Sequence, residues 1–506
     1  MTEHLDVLIV GAGLSGIGAA HHLQSAFPER TYAILEAREE IGGTWDLFRY
    51  PGVRSDSDMA TLGYRFRPWT AAEAIADGPS ILRYIRDTAV DAGIDRRIRF
   101  GHRVIRASWS SADAHWTVQV SHDGATSTLT CHFLYVCSGY YHYDQGYSPD
   151  FAGAEEFGGQ IVHPQQWPAD LDYAGKRVVV IGSGATAVTI VPAIAQTAAH
   201  VTMLQRSPTY ILSAPTEDVV ATKLRALLGA RRAYAITRWK NVAISTLIYQ
   251  LSQRKPEMMR KFIRTQTVGQ LPEGYDVDTH FKPDYGPWDQ RLCLVPDGDL
   301  FGSIRAGDAS VVTDRIDRFT PNGLRLESGA ELAADIVVTA TGLRLLALGA
   351  IELVVDGHAV ALPETMSYKG MMLGGVPNFA FTIGYTNASW TLKADLVGEF
   401  VCRLLRHMDT KGYDQCTPRP DPSINRAPLL DFQAGYVLRA IEQFPKAGSR
   451  APWRLGMNYA QDVVTLRHGR IEDGVLRFTA RPGAPATQPS VADLVPDDRD
   501  PEQVRA

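Results

Sequence analysis

Short unbroken apolar runs alternate along this chain with longer stretches of mixed character, and glycine stands at the joints. Val7 to Val10 and Val178 to Ile181 are continuously apolar and stop at Gly11 and Gly182. Runs of that length without a polar break predict strands buried on both faces, as in a parallel sheet. Each leads into a glycine-rich loop, Gly11-Ala-Gly13-Leu-Ser-Gly16 and Gly182-Ser-Gly184-Ala-Thr-Ala187, and then into a segment of helical character. A strand, a glycine loop and a helix start together aim backbone N–H groups at a pyrophosphate. Two such units in one chain predict two dinucleotide-binding folds.

The rest of the pattern fills in around them. From Leu5 the order is strand, loop, helix, strand, then a long excursion, a strand pair around Trp116-Thr-Val-Gln-Val120, and a buried strand Phe133-Leu-Tyr-Val-Cys-Ser-Gly139. The stretch from Lys176 to Arg206 begins the second fold. Between about Pro215 and His280, Arg231, Arg232, Arg238 and Lys240 alternate with Trp239, Ile244, Leu247 and Ile248, which predicts an inserted helical lobe or plain domain padding. The run Ala333-Ala-Asp-Ile-Val-Val-Thr-Ala-Thr-Gly342 then returns to a strand, so the first fold is expected to be discontinuous. Asn378-Phe-Ala-Phe-Thr-Ile-Gly384 predicts a further strand, residues 392–405 have helical periodicity, and Thr386, Asn387 and Ser389 offer caps for a helix beginning near Trp390.

The fold class expected is α/β, with two Rossmann-like dinucleotide-binding domains and a helical insertion. The expected boundaries are 1–145 and 336–480 for the first domain, 146–213 and 286–335 for the second, 214–285 for the insertion, and 481–506 for a disordered tail rich in Pro, Asp and Ala.

The residues that close the two loops separate their ligands. After the first loop the next strand reads Tyr32-Ala-Ile-Leu-Glu36, and a carboxylate there accepts hydrogen bonds from ribose hydroxyls and repels a 2'-phosphate. After the second it reads Val201-Thr-Met-Leu-Gln-Arg206-Ser207, a guanidinium and a hydroxyl suited to a 2'-phosphate, unless Arg206 is only a solvated charge on an edge loop. The first site is therefore read as FAD and the second as NADPH.

Composition removes several alternatives. A net charge of -5 over 506 residues, with dispersed basic residues, argues against a nucleic-acid partner. Five cysteines contain no Cys-x-x-Cys pair, which disfavours a disulfide reductase or metal cluster and fits packing residues in a reduced cytoplasm, so no metal site is assigned. The start of the chain carries Glu3 and Asp6 beside one short apolar run, so neither a signal peptide nor an integral membrane segment is expected, while peripheral membrane contact stays open.

Between the loops runs Phe157-x-Gly159-x-x-x-His163-x-x-x-Trp167-Pro168, and near the first loop stand Gly42-Gly43-Thr-Trp45, Tyr50-Pro51-Gly52 and Asp56. On these residues the chain resembles the type I Baeyer-Villiger monooxygenases. Arg54-Ser-Asp-Ser-Asp-Met59, Pro287-Trp-Asp-Gln-Arg291 and Tyr385-Thr-Asn-Ala-Ser-Trp390 are similar to the subgroup typified by the ethionamide-activating monooxygenase, and the resemblance extends to about residue 480. It implies that NADPH reduces FAD, that molecular oxygen forms a peroxide on the flavin, and that the peroxide attacks a ketone to give an ester or lactone, with sulfides and thioamides oxidised at sulfur.

It also implies roles. Arg291 is the cation beside the peroxide and Asp56 its orienting carboxylate, the alternative being a structural ion pair at a domain interface. Gly43, Trp45 and Tyr50 pack around the flavin, unless the aromatics serve only the core. His163 couples NADPH docking to domain rotation or is a satisfied structural histidine; Pro164 and Pro168 place it on a turn or extended segment. The positive end of the helix near Trp390 faces the flavin pyrimidine. Where the family often carries Lys before the arginine, this chain has Gln290, which leaves the preference for NADPH over NADH to rest on Arg206. The rival readings are an N- or S-oxidising flavin monooxygenase without ketone activity, disfavoured by Trp167-Pro168, and a non-catalytic flavin redox sensor, disfavoured by Arg291 and Asp56.

Overall fold

A computed structural model describes residues 2–290, 292–430 and 432–480. Arg291 and the tail expected at 481–506 lie outside them.

Two sheets carry the fold. In the first, Glu3–Val10 is flanked in parallel by Tyr32–Leu35 and by Ala125–Val136, in the register Val10 to Leu35 and Val10 to Val136. Its residues from Val7 to Val10 are buried because helices cover one face and loops the other, which is what an unbroken apolar run demands. Beyond Ala125–Val136 the sheet continues as an antiparallel meander through His115–His122 and Arg103–Ser110, and Phe379–Phe381 from the C-terminal third adds itself beside residues 134–136.

The second sheet is wholly parallel, in the order Ala309–Thr313, His200–Gln205, Arg177–Ile181, Ile336–Thr339, Gln160–Val162. The strand pairing moves the expected domain boundary at residue 335. Ile336–Thr339, placed at the start of the first domain's second part, pairs with Arg177–Ile181, so the chain leaves the second domain only after it. An apolar run ending in Ala-Thr-Gly suits the centre of either parallel sheet, and only the pairing distinguishes them.

Two connections cross between the sheets, and they run antiparallel to each other. Tyr141 bridges Leu345, His142 N donates to Arg344 O at 2.9 Å, and Tyr147 N donates to Gly342 O at 3.2 Å. The helical segment Val219–Arg254 breaks at Gly229 (φ 74°) and folds back on itself, because Asp218 before the break pairs with Lys240 after it at 2.5 Å. From its second half the buried Arg238 donates to Ala60 O at 2.9 Å and Gly63 O at 2.7 Å, and pairs with the buried Asp395 at 3.2 Å. The guanidinium thus satisfies the carbonyls at the end of the short helix Met59–Leu62 and ties the lobe to the first domain. Removing either charge alone would strand the other, at a cost of about 3–5 kcal/mol.

Helix Trp390–Lys411 packs on the first glycine helix, Leu14–Ala26. It begins where the capping residues predicted, with Ser389 as N-cap, but the Ser389 hydroxyl caps nothing: its Oγ bonds Thr61 Oγ1 at 2.6 Å.

Candidate functional site

The first glycine loop is closed upon itself. Gly13 is the N-cap of Leu14–Ala26 and bridges Gly42, Gly11 has φ +102°, and a Cβ on Gly16 would lie 1.8 Å from Gly11 O. Only glycine lets the helix start come down onto the strand end in this way. Glu36 is 5% exposed, and its carboxylate accepts Ala12 N–H at 2.7 Å and Arg38 N–H at 2.9 Å. Burial raises its pKa, opposed by those N–H groups and the Arg38 charge. Each oxygen keeps a lone pair for a ribose hydroxyl. Gly43 sits in the left-handed region beside Gly13 and the Tyr143 hydroxyl, and the half-buried Trp45 packs on the core beneath. Trp390 Nε1 donates to Ser15 Oγ at 2.7 Å, bringing the start of the C-terminal helix to the same loop. A flavin dinucleotide fits this donor set.

Tyr50 does something else. It belongs with Val53 to the hydrophobic cluster of the second domain, its pKa pushed up to about 12 by burial, with Thr186 of the second glycine loop as hydrogen-bond partner. Beside it a Cβ on Gly52 would meet Ala193 Cβ at 2.7 Å. The Tyr50-Pro51-Gly52 turn therefore clasps helix Ala185–Ala195, a long-range contact that local sequence does not reveal.

The second loop is open by contrast. Gly182 has φ +133°, Gly184 is the N-cap of Ala185–Ala195, and a Cβ there would meet nothing within 4 Å. Ala187 is fully buried under the helix. Arg206 and Ser207 are exposed, and among the described residues the Arg206 guanidinium makes no ion pair. Ser183 Oγ donates to Ser207 O at 3.1 Å, joining loop to strand end. A helix N-terminus, open backbone and an uncommitted cation suit a phosphorylated dinucleotide.

The fingerprint segment lies on the paired crossovers. Phe157 packs edge-on against Phe319 and Gly159 passes close to Asp335 O. His163 caps a single 3-10 turn, Pro164–Gln166, its Nδ1 accepting Gln165 N–H at 3.1 Å. That bond puts the neutral ring's proton on buried Nε2, and burial lowers the histidine's pKa against the pull of the Gly342 and Tyr147 backbone. Trp167 packs edge-on with Tyr173 on the second domain's core, and Pro168 follows. The residue that sequence reasoning missed is Gln165, 4% exposed, whose Nε2 donates to His142 O at 2.9 Å and Tyr143 O at 3.0 Å. It occupies an unspecified position of the fingerprint, so only the structure reveals this clamp.

Between the lobe and the first domain lies a cavity of about 560 Å³. Its walls include apolar Leu212, Val242, Ile248, Leu294 and Met457, with the half-buried Asp56 among the polar groups. Asn387 and Ser389, at the start of helix Trp390–Lys411, line it, as do Trp288, Leu292 and Leu294 on either side of position 291. The structure therefore brings Asp56 and the chain neighbours of Arg291 to one cavity, while Arg291 itself falls outside the described residues.

Known proteins share this architecture. Residues 75–273 match the flavin-binding monooxygenase-like family and residues 9–71 the NAD(P)-binding Rossmann-like domain. The structure is similar to that of an oxidized steroid monooxygenase bound to NADP, at TM-score 0.76 and 23% identity over 94% of this chain and 100% of that one. It is also similar to an open crystal structure of cyclohexanone monooxygenase, at TM-score 0.74 and 19% identity over 95% and 100%. These likenesses concern the fold. The chain is also 60% identical over 484 residues to the FAD-containing monooxygenase EthA of Mycobacterium tuberculosis, covering 95% of this chain and 99% of the relative, and 57% identical to that of Mycolicibacterium smegmatis. It belongs to the FAD-containing monooxygenases of the flavin-binding family.

Proposed function

We propose that this monooxygenase is of the Baeyer-Villiger type, inserting one atom of molecular oxygen into a ketone to give an ester or lactone while NADPH is oxidised and the second oxygen atom leaves as water. What supports this most is the shared cavity, in which Asp56 and the residues flanking Arg291 line one apolar space beside the start of helix Trp390–Lys411, which reaches the first cradle through the Trp390–Ser15 bond. FAD, bound there and reduced by NADPH, supplies the activation of dioxygen. The chain's residues hold and tune. N–H groups of the loop Gly11 to Gly16 take the FAD pyrophosphate and Glu36 takes its ribose. Gly182, Gly184 and Ala187 shape the second cradle, where Arg206 and Ser207 take the 2'-phosphate. The Arg291 guanidinium stabilises negative charge developing beside the substrate carbonyl and polarises that carbonyl, and Asp56 orients it. The Phe157–Gly159–His163–Trp167–Pro168 segment, clamped by Gln165 on the crossovers, couples the second cradle to the first. By family relationship the proposal extends to sulfides and thioamides, oxidised at sulfur.

The test is a ketone panel under labelled dioxygen, read by mass spectrometry. An ester or lactone carrying one labelled atom is expected, and Arg291→Ala should retain FAD yet lose that product. A panel yielding sulfoxides but no ester would replace this reading with a purely heteroatom-oxidising enzyme.

A further inference from the structure

The outer surface of the lobe is both apolar and cationic. Leu227 is 80% exposed, Val219 60% and Leu247 58%, and Ile236, Trp239 and Leu247 follow one another at helical spacing. Exposed apolar residues scattered singly mean little, but a row of them on one element marks a surface that meets something. The charge on this element identifies the partner. Residues 219–256 contain eight Lys or Arg and no Asp or Glu, in a chain whose net charge is -5. Three of the eight are committed within the fold: Arg238 to the core, Lys240 to Asp218, and Arg225 to the carbonyls of Thr70 and Ala71. Lys223, Arg231, Arg232, Arg254 and Lys255 are exposed and make no ion pair among the described residues.

We propose that this face of the lobe docks on an anionic lipid surface, its apolar side chains entering the interface and the five cations meeting headgroup phosphates. A second copy of the chain fits less well, because the same face would bring unpaired cations against each other. No described helix is long and apolar enough to cross a membrane, so the contact is peripheral. Val219, Val220 and Ile244 are at once exposed and lining the 560 Å³ cavity, so its mouth opens along the same helical segment. With the proposed function, and only with it, this means that lipid-dissolved ketones enter without crossing water.

The experiment is flotation of the FAD-loaded full chain with vesicles of phosphatidylglycerol and phosphatidylcholine in equal parts. The protein should float with them, much less with phosphatidylcholine alone, and less as salt rises. Arg231→Ser and Arg232→Ser should each lower partitioning about fivefold. Leu227→Glu with Leu247→Glu should lower it at least about tenfold. These four side chains lie outside the cavity wall, so turnover of a water-soluble ketone without lipid should be unchanged, and a variant that kept that turnover yet still floated like the parent would overturn the proposal. So would equal flotation on neutral vesicles, or a dimer dispersed by Leu247→Glu with no vesicle binding. Loss of ketone turnover in the parent protein with docking intact would instead sink only the enzymatic reading.

Discussion

The two glycine loops begin from nearly the same sequence and end as different cradles. In the first, Gly16 touches Gly11, Gly13 bridges Gly42, and Glu36 is buried with backbone partners already in place. In the second, Gly184 faces open space and Arg206 is exposed without an ion pair among the described residues. A closed cradle whose polar groups are already positioned is preorganised for its dinucleotide, so binding costs little reordering and the expected complex is tight. An open one with a solvated cation lets its dinucleotide come and go. That difference is what a reductant exchanged every turnover and a retained flavin require.

The sharpest way to break the comparison is to put the same methyl group in both loops. Gly16→Ala places Cβ against Gly11 O, a contact no relaxation of backbone can absorb cheaply. The variant should be recovered colourless or insoluble, checked by flavin absorbance after purification. Gly184→Ala should do neither. Its Cβ has room in the protein, so melting temperature and bound FAD stay as in the parent, while the methyl group crowds the incoming pyrophosphate and kcat/KM for NADPH falls about 30-fold, or ~2 kcal/mol. Equal flavin loss in both variants would mean that the two cradles are not different in kind.

Arg206→Ala sharpens the second half. Because the guanidinium is exposed, its bond to a 2'-phosphate is screened, and a loss of about tenfold in kcat/KM for NADPH is expected, with NADH little changed. Steady-state kinetics at two salt concentrations should show the gap between the cofactors narrowing as salt rises. A loss shared equally by NADH would move the 2'-phosphate elsewhere.

The same contrast explains what could be read from the chain alone. The two strand-loop-helix units, with Glu36 and Arg206 at the ends of their second strands, were legible because each is built from neighbours in sequence. Contacts between domains were not. Tyr50 sits in a flavin-family motif yet packs on Ala185–Ala195, and Ile336–Thr339 carries an apolar pattern that either sheet could accept. Gln165 is a clamp only because two crossovers happen to run beside it. The Ser389 hydroxyl, a plausible cap by sequence, found a better partner in Thr61 from a distant helix.

The smallest effect tests how tightly the first cradle's helix is packed. His21, on Leu14–Ala26, stacks on Phe66 with ring centroids 3.5 Å apart, and its Nδ1 is buried without a partner. Burial, with the neighbouring His22 adding to it against the pull of Asp395, lowers its pKa to about 4. The ring is therefore neutral in the folded protein where the unfolded chain would already be protonated. Unfolding takes up a proton in that window, so this contribution to stability is complete above the ordinary value of 6.5 and is lost as pH falls from there towards 4. His21→Phe keeps the stack, removes the orphaned nitrogen and cannot titrate. Between pH 7 and pH 5 the parent should lose about 1–2 °C of melting temperature that the variant keeps. Parallel melting curves for the two proteins across that range would mean that His21 is solvated, and that the first cradle is looser than its geometry implies.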